Sequence, residues 1–290
     1  MDLVSIILSC HNSKREFIDE LLQGLFSQTY TNWELLVCDH SSNISTKDWF
    51  PNDKRIKHLG EYNQNDQWQY LIDNSQGEII IHHHDDDISL PHRIETQVKY
   101  LKDNPELDAC SGGIFAFGNT RERQIAYPMK WQELKRRLIF SQPIMTPTLA
   151  TKRYIKMNFD TTNKLVKTAK DYEFFSRRND IKQDILSEIL VRYRKHGAAD
   201  SVLNREQLRI DHANIVCRNL KVQFNIDAPF ELGQLLDPYC PEIQMSQDIY
   251  NSCLNIFVSN KEKIANYCGL ELYNEKMREI KSKNIIFRNN

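Results

Sequence analysis

The chain has 290 residues, 40% of them hydrophobic and 27% charged, with a formal net charge of −1 at pH 7. That is the composition of an ordinary folded protein, long enough for one large domain or one domain with an appendage, and its near-neutral charge excludes a surface built to coat nucleic acid. Seven cysteines, at positions 10, 38, 110, 217, 240, 253 and 268, show no CxxC or CxxH spacing, which argues against a zinc site or a redox pair and suits reduced thiols in the cytosol.

The chain runs at once into an apolar stretch, 3–8, that is too short for a signal peptide or a membrane span, and no later stretch approaches the ~20 apolar residues a span needs. The expected location is cytoplasmic, with any membrane contact peripheral and at the inner face. Residues 3–8 predict a strand, and the small and polar Ser9, Cys10, His11, Asn12 and Ser13 suit a strand-to-helix turn. Phe17, Ile18, Leu21, Leu22, Leu25 and Phe26 then fall at helical spacing. A second apolar strand over 33–38 ends in Asp39 and His40. In dinucleotide-binding folds an acid at this place holds a ribose, but the glycine fingerprint those folds need is absent from the first turn. A short strand over 55–59 and a helix over 67–74 lead to Gly77, a residue suited to a helix C-cap.

The segment 78–91 organises the rest. Ile79, Ile80 and Ile81 run through His82, His83 and His84 into three consecutive acids, Asp85, Asp86 and Asp87, and Pro91 opens a helix. This pattern predicts a buried strand that delivers carboxylates to the edge of a sheet, where an α/β protein keeps its chemistry. Acids packed so closely repel one another, and a divalent metal with oxygen ligands, Mg²⁺ or Mn²⁺, is the simplest countercharge. A solvated acidic turn capping the next helix is the plainer alternative for any isolated acid triplet. Alternation along the strand sends His82 and His84 to one face and His83 to the other, so these residues cannot all converge on one ion.

Beyond the acids, a helix from Arg93 stops near Asn104 and Pro105, and 109–117 resumes strand character. Strand and helix alternate over the first stretch of the chain, which predicts a mostly parallel sheet with helices on its faces. Residues 131–140 predict a helix with Lys135, Arg136 and Arg137 on its polar side, either a solvated face or a contact with an anionic acceptor or lipid headgroups. Pro143 and Pro147 suggest a rigid crossing loop. Asp171 stands where an apolar helix begins, a place that the helix dipole favours for an acid. A strand over 189–194 precedes Lys195, His196 and Gly197, and after about residue 200 the pattern becomes helical and polar, without a catalytic signature.

Four of these stretches, in this order, resemble the family 2 glycosyltransferases of the GT-A type, over residues 3–197. They are 4–12, from Val4 to Asn12; 26–39, from Phe26 through Trp33 and Glu34 to Asp39; 85–93, from Asp85 to Arg93; and 170–175, around Asp171. The resemblance implies an α/β GT-A fold over 1–200, a mostly parallel sheet flanked by helices, with 201–290 as a helical C-terminal extension. It also implies an inverting, metal-dependent transfer of a sugar from a nucleoside-diphosphate donor, most simply a UDP-sugar, to a hydroxyl of a glycan or lipid-linked glycan in surface polysaccharide or glycoconjugate synthesis.

In that scheme Asp39 accepts a hydrogen bond from uracil, Ser9, His11 and Asn12 line the nucleotide pocket, and Asp85 holds ribose or metal water. Asp86 ligates Mn²⁺ or Mg²⁺, with Asp87, His84 and His196 as further ligand candidates, and Asp171 is the general base. Two positions depart from the family pattern: His84 stands where many members carry the first acid, and Lys170 where an acid usually precedes the base. The segment 61–76 also lacks an arginine that some relatives place on the nucleotide. These departures motivate an alternative, a catalytically silent relative that binds nucleotide-sugar or serves as a scaffold. A nucleotidyltransferase is disfavoured, because the turn 9–13 supplies neither glycine nor lysine. Nucleic acid is not an expected partner; a peripheral membrane contact and a homodimer through the C-terminal helices are the associations left open.

Overall fold

The structure is a computed structural model that describes residues 2–41, 45–61, 67–157, 166–240 and 242–287. Residues 62–66, within the segment lacking the arginine, and 158–165 lie outside the described residues. The elements in chain order are β1 (Val4–Cys10), α1 (Arg15–Phe26), β2 (Trp33–Asp39), β3 (Ile56–Glu61), α2 (Gln67–Asp73), β4 (Ile79–His84), β5 (Ile88–Ser89), α3 (Arg93–Asp103), β6 (Ala109–Gly118), β7 (Arg123–Ile125) and α4 (Trp131–Arg137). They continue with β8 (Ala150–Lys152), α5 (Lys170–Arg177), β9 (Gln183–Lys195), α6 (Asp200–Leu203), α7 (Arg205–Phe224), α8 (Phe230–Leu236), β10 (Glu242–Met245), α9 (Gln247–Ser259), α10 (Lys261–Cys268), α11 (Leu270–Ser282) and β11 (Asn284–Phe287).

The chain forms two compact units. The first takes Met1–Trp131, Ile144–Phe159 and Asp180–Gly197; the second takes Gln132–Pro143, Asp160–Asn179 and Ala198–Asn290. The expected boundary near residue 200 follows chain order, whereas contacts group α5 and most of α4 with the C-terminal helices.

In the first unit the sheet runs β3-β2-β1-β4-β8-β6-β9-β5, with β7 on β6. Its long ladders are parallel: β1 with β2 and β4, β2 with β3, and β6 with β9. The short strands β5, β7 and β8 pair antiparallel. Ile6 and Leu8 of β1, Leu35 and Val37 of β2 and Ile81 of β4 pack against Ile18, Leu21 and Leu25 of α1 and Ile94, Val98 and Leu101 of α3. The alternate residues Ile7, Leu36 and Ile80 are also buried, which is why these strands are continuous apolar runs, as parallel strands covered on both faces must be. Each such aliphatic side chain contributes about 1.5–3 kcal/mol when fully buried.

Gly24 lets α1 close on β5. A Cβ there would lie 2.9 Å from both Ile88 Cγ2 and the Ser89 backbone oxygen. Gly24→Ala is expected to destabilise the protein by about 1–3 kcal/mol, because backbone is what must move. Urea unfolding checks this; an unchanged midpoint would show that α1 and β5 separate freely.

In the second unit Phe140, Val216, Leu220, Leu232, Leu235, Phe257, Ile264 and Ile280 belong to one core. The expected helices are present, joined by an unexpected parallel pair, β10 with β11. Arg137 pairs with Glu133 and Glu275, so within the basic cluster of α4 this side chain has a structural task. No described helix is long and apolar enough to cross a membrane.

Candidate active site

The parallel register places Cys10 beside Asp39 and Ser9 beside His84, so the carboxyl ends of β1, β2 and β4 meet at one edge of the sheet. After β1 the backbone turns through Asn12, in the left-handed region at φ 49°, a conformation asparagine tolerates better than most residues. This turn is tied to β4 and β2. Asp85 Oδ2 accepts from the His11 amide at 3.2 Å and from the Ser13 hydroxyl, and the Asn12 amide donates to Ser41 Oγ at 2.7 Å. The rings of His11 and His40 stack, 4.4 Å apart and 13° from parallel. Ser9 Oγ lies 3.3 Å from His40 Nδ1 and donates to Gln67 Oε1 at 3.4 Å.

Asp39 is buried. Its Oδ1 accepts from the Ser41 amide at 2.9 Å, and its Oδ2 accepts from the amide and hydroxyl of Thr46 at 2.7 and 2.8 Å. Burial works against its charge, but these donors outweigh it and hold the carboxyl below the ordinary aspartate value. His40, Ser41, Thr46 and Gln67 complete this network and were not singled out in the sequence; only His40, directly after an acid at a strand end, gave a usable signal.

At the end of β4, His84, Asp86 and Asp87 bring one ligand atom each to within 4.8 Å of one another. His196, at the far end of β9, sets Nε2 2.9 Å from Asp86 Oδ2. Asp87 is fully buried; its Oδ1 accepts from the Arg194 amide at 2.9 Å, while Oδ2 has no hydrogen-bond partner. Burial pushes the Asp87 carboxyl well up, and the neighbouring charges of Asp86 and Asp85 push it further. Burial raises Asp85 as well, against the Ser13 hydroxyl that favours its charged form. The other two histidines belong to the core. His82 lies 3.2 Å from Thr151 Oγ1 and His83 2.7 Å from the His84 carbonyl, and burial lowers both to about 3.

Two arginines brace this edge. Arg194 lies between Phe17 and Phe117, at 4.3 and 4.5 Å, and its Nε donates to the Asp86 carbonyl at 2.9 Å. Arg93 is completely buried and donates to His82 O at 2.7 Å, Ser89 Oγ at 3.0 Å and Gln97 Oε1 at 3.2 Å. Burial lowers its guanidinium to about 9, with Asp87 acting in the opposite direction.

The structure thus collects Ser9, His11, Asn12, Asp39, His84, Asp85, Asp86, Asp87 and His196 at one sheet edge of the first unit. Asp171 belongs to the second unit, in the first turn of α5, where its Oδ1 accepts from the Tyr172 amide at 2.8 Å. A cavity of about 520 Å³ lies instead at the amino ends of β1 and β4, beside Val4, Ile79 and Val98. It is at the opposite ends of the strands from the acids, where open α/β sheets do not hold their ligands.

The family model described as glycosyl transferase family 2 matches residues 5–171, a stretch that holds every expected site residue except His196. An uncharacterized glycosyltransferase of Methanocaldococcus jannaschii is 26% identical over 205 residues, covering 66% of this chain and 70% of the relative. The O-antigen biosynthesis glycosyltransferase WbnJ of Escherichia coli is 24% identical over 222 residues, covering 68% and 81%. The crystal structure of S. aureus TarS 1–349 superposes with a TM-score of 0.56 at 15% identity, covering 97% of this chain and 89% of that one. Its complex with UDP-GlcNAc gives 0.54 with the same coverage. Matched by the family model over more than half its length, from β1 to Asp171, the chain belongs to glycosyl transferase family 2: it is a glycosyltransferase with the GT-A fold.

Proposed function

We propose that this enzyme is an inverting, metal-dependent transferase that moves a sugar from a UDP-sugar to a hydroxyl of a glycan or lipid-linked glycan during surface polysaccharide or glycoconjugate synthesis. The observation that carries the reading is the cluster of His84, Asp86 and Asp87 at the carboxyl end of β4, beside the Asp85-bound turn of β1. The donor class is supported by the UDP-GlcNAc complex of TarS, and the setting by the O-antigen relative.

The cluster fits Mn²⁺ or Mg²⁺: hard carboxylate oxygens, one imidazole, and a buried Asp87 oxygen without a hydrogen bond. Asp86 would be the principal ligand, with His84, Asp87 and His196 as the remaining candidates. A bound divalent ion offsets the charge that builds on the departing diphosphate. Ser9, His11 and Asn12 would line the nucleotide, Asp85 would hold ribose while keeping the first turn closed, and Asp39 would accept a hydrogen bond from uracil. Asp171 would take the proton of the acceptor hydroxyl as that oxygen bonds to the anomeric carbon. The bond to the diphosphate breaks with its electron pair leaving on UDP, and a single displacement inverts the configuration.

Calorimetric titration of UDP with and without Mn²⁺, beside dTDP and GDP, tests this on the wild type and Asp86→Ala. Binding of UDP that needs Mn²⁺ and disappears in Asp86→Ala is the expected result. A folded wild type that binds no nucleotide would support a silent scaffold relative instead.

A further inference from the structure

We propose that Asp211, on α7, is a positioning residue for the transfer reaction: it fixes the turn from which α5 starts and so sets where the Asp171 carboxylate points. The proposal rests on the reading of Asp171 as the base. Asp211 is fully buried, and a single oxygen, Oδ2, takes four donors from three consecutive residues. These are the amide of Lys167 at 2.9 Å, the amide and hydroxyl of Thr168 at 2.5 and 2.8 Å, and the amide of Ala169 at 3.0 Å. The other oxygen accepts from Gln207 Nε2 at 2.8 Å.

This is a turn held from a distance, immediately before α5 begins. The first amides of a helix need an acceptor, normally the side chain of the N-cap residue itself. Here the N-cap is Ala169, which has no capping side chain, and its own amide, with those of the two residues before it, is held by a residue 42 positions further along the chain. Burial opposes the charge of Asp211, yet the converging donors outweigh it and hold the carboxyl below the ordinary aspartate value. The turn is therefore gripped by an ionised acceptor, whose hydrogen bonds are roughly twice as strong as neutral ones.

α7 also holds α5 elsewhere: Arg218 pairs with Glu173 and donates to Ser176 Oγ at 2.6 Å. The two contacts differ in their consequence. Arg218 secures the body of the helix, whereas Asp211 secures the turn just before Asp171. A general base must lie within hydrogen-bond reach of the proton it takes. A misplacement of about 1 Å costs on the order of 100-fold in rate, so a loosened turn lowers turnover without touching the donor site.

The test is Mn²⁺-dependent release of UDP from UDP-glucose, UDP-galactose and UDP-N-acetylglucosamine, with melting temperature and calorimetric UDP affinity for each variant. Asp211→Asn is expected to lower kcat by about 10- to 100-fold while donor KM and UDP affinity stay within about twofold. Thr168→Val, which removes one donor, moves kcat the same way by less. The double variant Asp171→Asn/Asp211→Asn is expected to be no slower than Asp171→Asn, since Asp211 acts through Asp171. Arg218→Met lowers the melting temperature and keeps kcat. Wild-type kcat in Asp211→Asn, or a full additional loss in the double variant, would overturn the proposal; if Asp211→Asn does not fold, Thr168→Val decides with unchanged kcat as the negative result. Wild-type kcat in Asp171→Asn would instead overturn the base, and release of UDP from none of the three donors by the wild type would overturn both.

Discussion

Replacing Asp171 with asparagine is expected to slow sugar transfer by about 10²- to 10⁴-fold, the usual contribution of a positioned general base. The substitution isolates the proton. The amide oxygen of asparagine can still accept from the Tyr172 amide, as Asp171 Oδ1 does at 2.8 Å, so the first turn of α5 keeps its local geometry. What asparagine cannot do is take a proton from the attacking hydroxyl. Because Asp171 would act on the acceptor, Mn²⁺-dependent UDP affinity should be unchanged. Initial rates of UDP release and calorimetry on the same preparation separate the outcomes. A normal rate would assign the proton to another group, and lost UDP binding would move Asp171 into the donor site.

The largest effect on stability is expected at Arg93. Arg93→Met keeps much of the volume but removes every donor of a completely buried guanidinium. The His82 carbonyl, Ser89 hydroxyl and Gln97 side chain each lose a partner, and the buried Asp87 loses the positive charge that favours its ionised form. Each buried acceptor left without its donor costs about 1–3 kcal/mol, so the loss of all three is expected to destabilise by several kcal/mol. Arg93→Lys should rescue little, since one ammonium on a flexible stem cannot satisfy three acceptors held in a fixed fork. Denaturant unfolding at pH 7 is the measurement. A loss under about 1 kcal/mol would show that water replaces the guanidinium beneath β4, which the burial of Arg93 argues against.

These two residues mark different degrees of legibility. Asp171 could be singled out because it stands at the start of an apolar helix, in a contiguous stretch that resembles the family's acidic motif. Arg93 was visible only as part of the motif following the acids; its role is carried by contacts to β4 and β5 and to its own helix. The long strands were readable because burial on both faces leaves uninterrupted apolar runs, as in β1, β2 and β4. The short strands β5, β7 and β8 were not, since two or three residues cannot display a period.

Taken by itself, the sequence determined that strands alternate with helices, that a buried strand ends in Asp85, Asp86 and Asp87, and that the chain resembles family 2 glycosyltransferases. Each follows from neighbours along the chain, where side-chain period and local chemistry are set. Only the tertiary structure decided that of three adjacent histidines His84 alone joins the acid cluster, while burial holds His82 and His83 neutral in the core. It likewise decided that His196 reaches Asp86 and that Asp39 takes its donors from Ser41 and Thr46. It also made Asp211, in a helix without a catalytic signature, the acceptor that holds the turn before α5. The physical reason is common to all of these: whether a polar side chain is buried, and which group it meets there, depends on segments brought together by packing, and no local pattern records that.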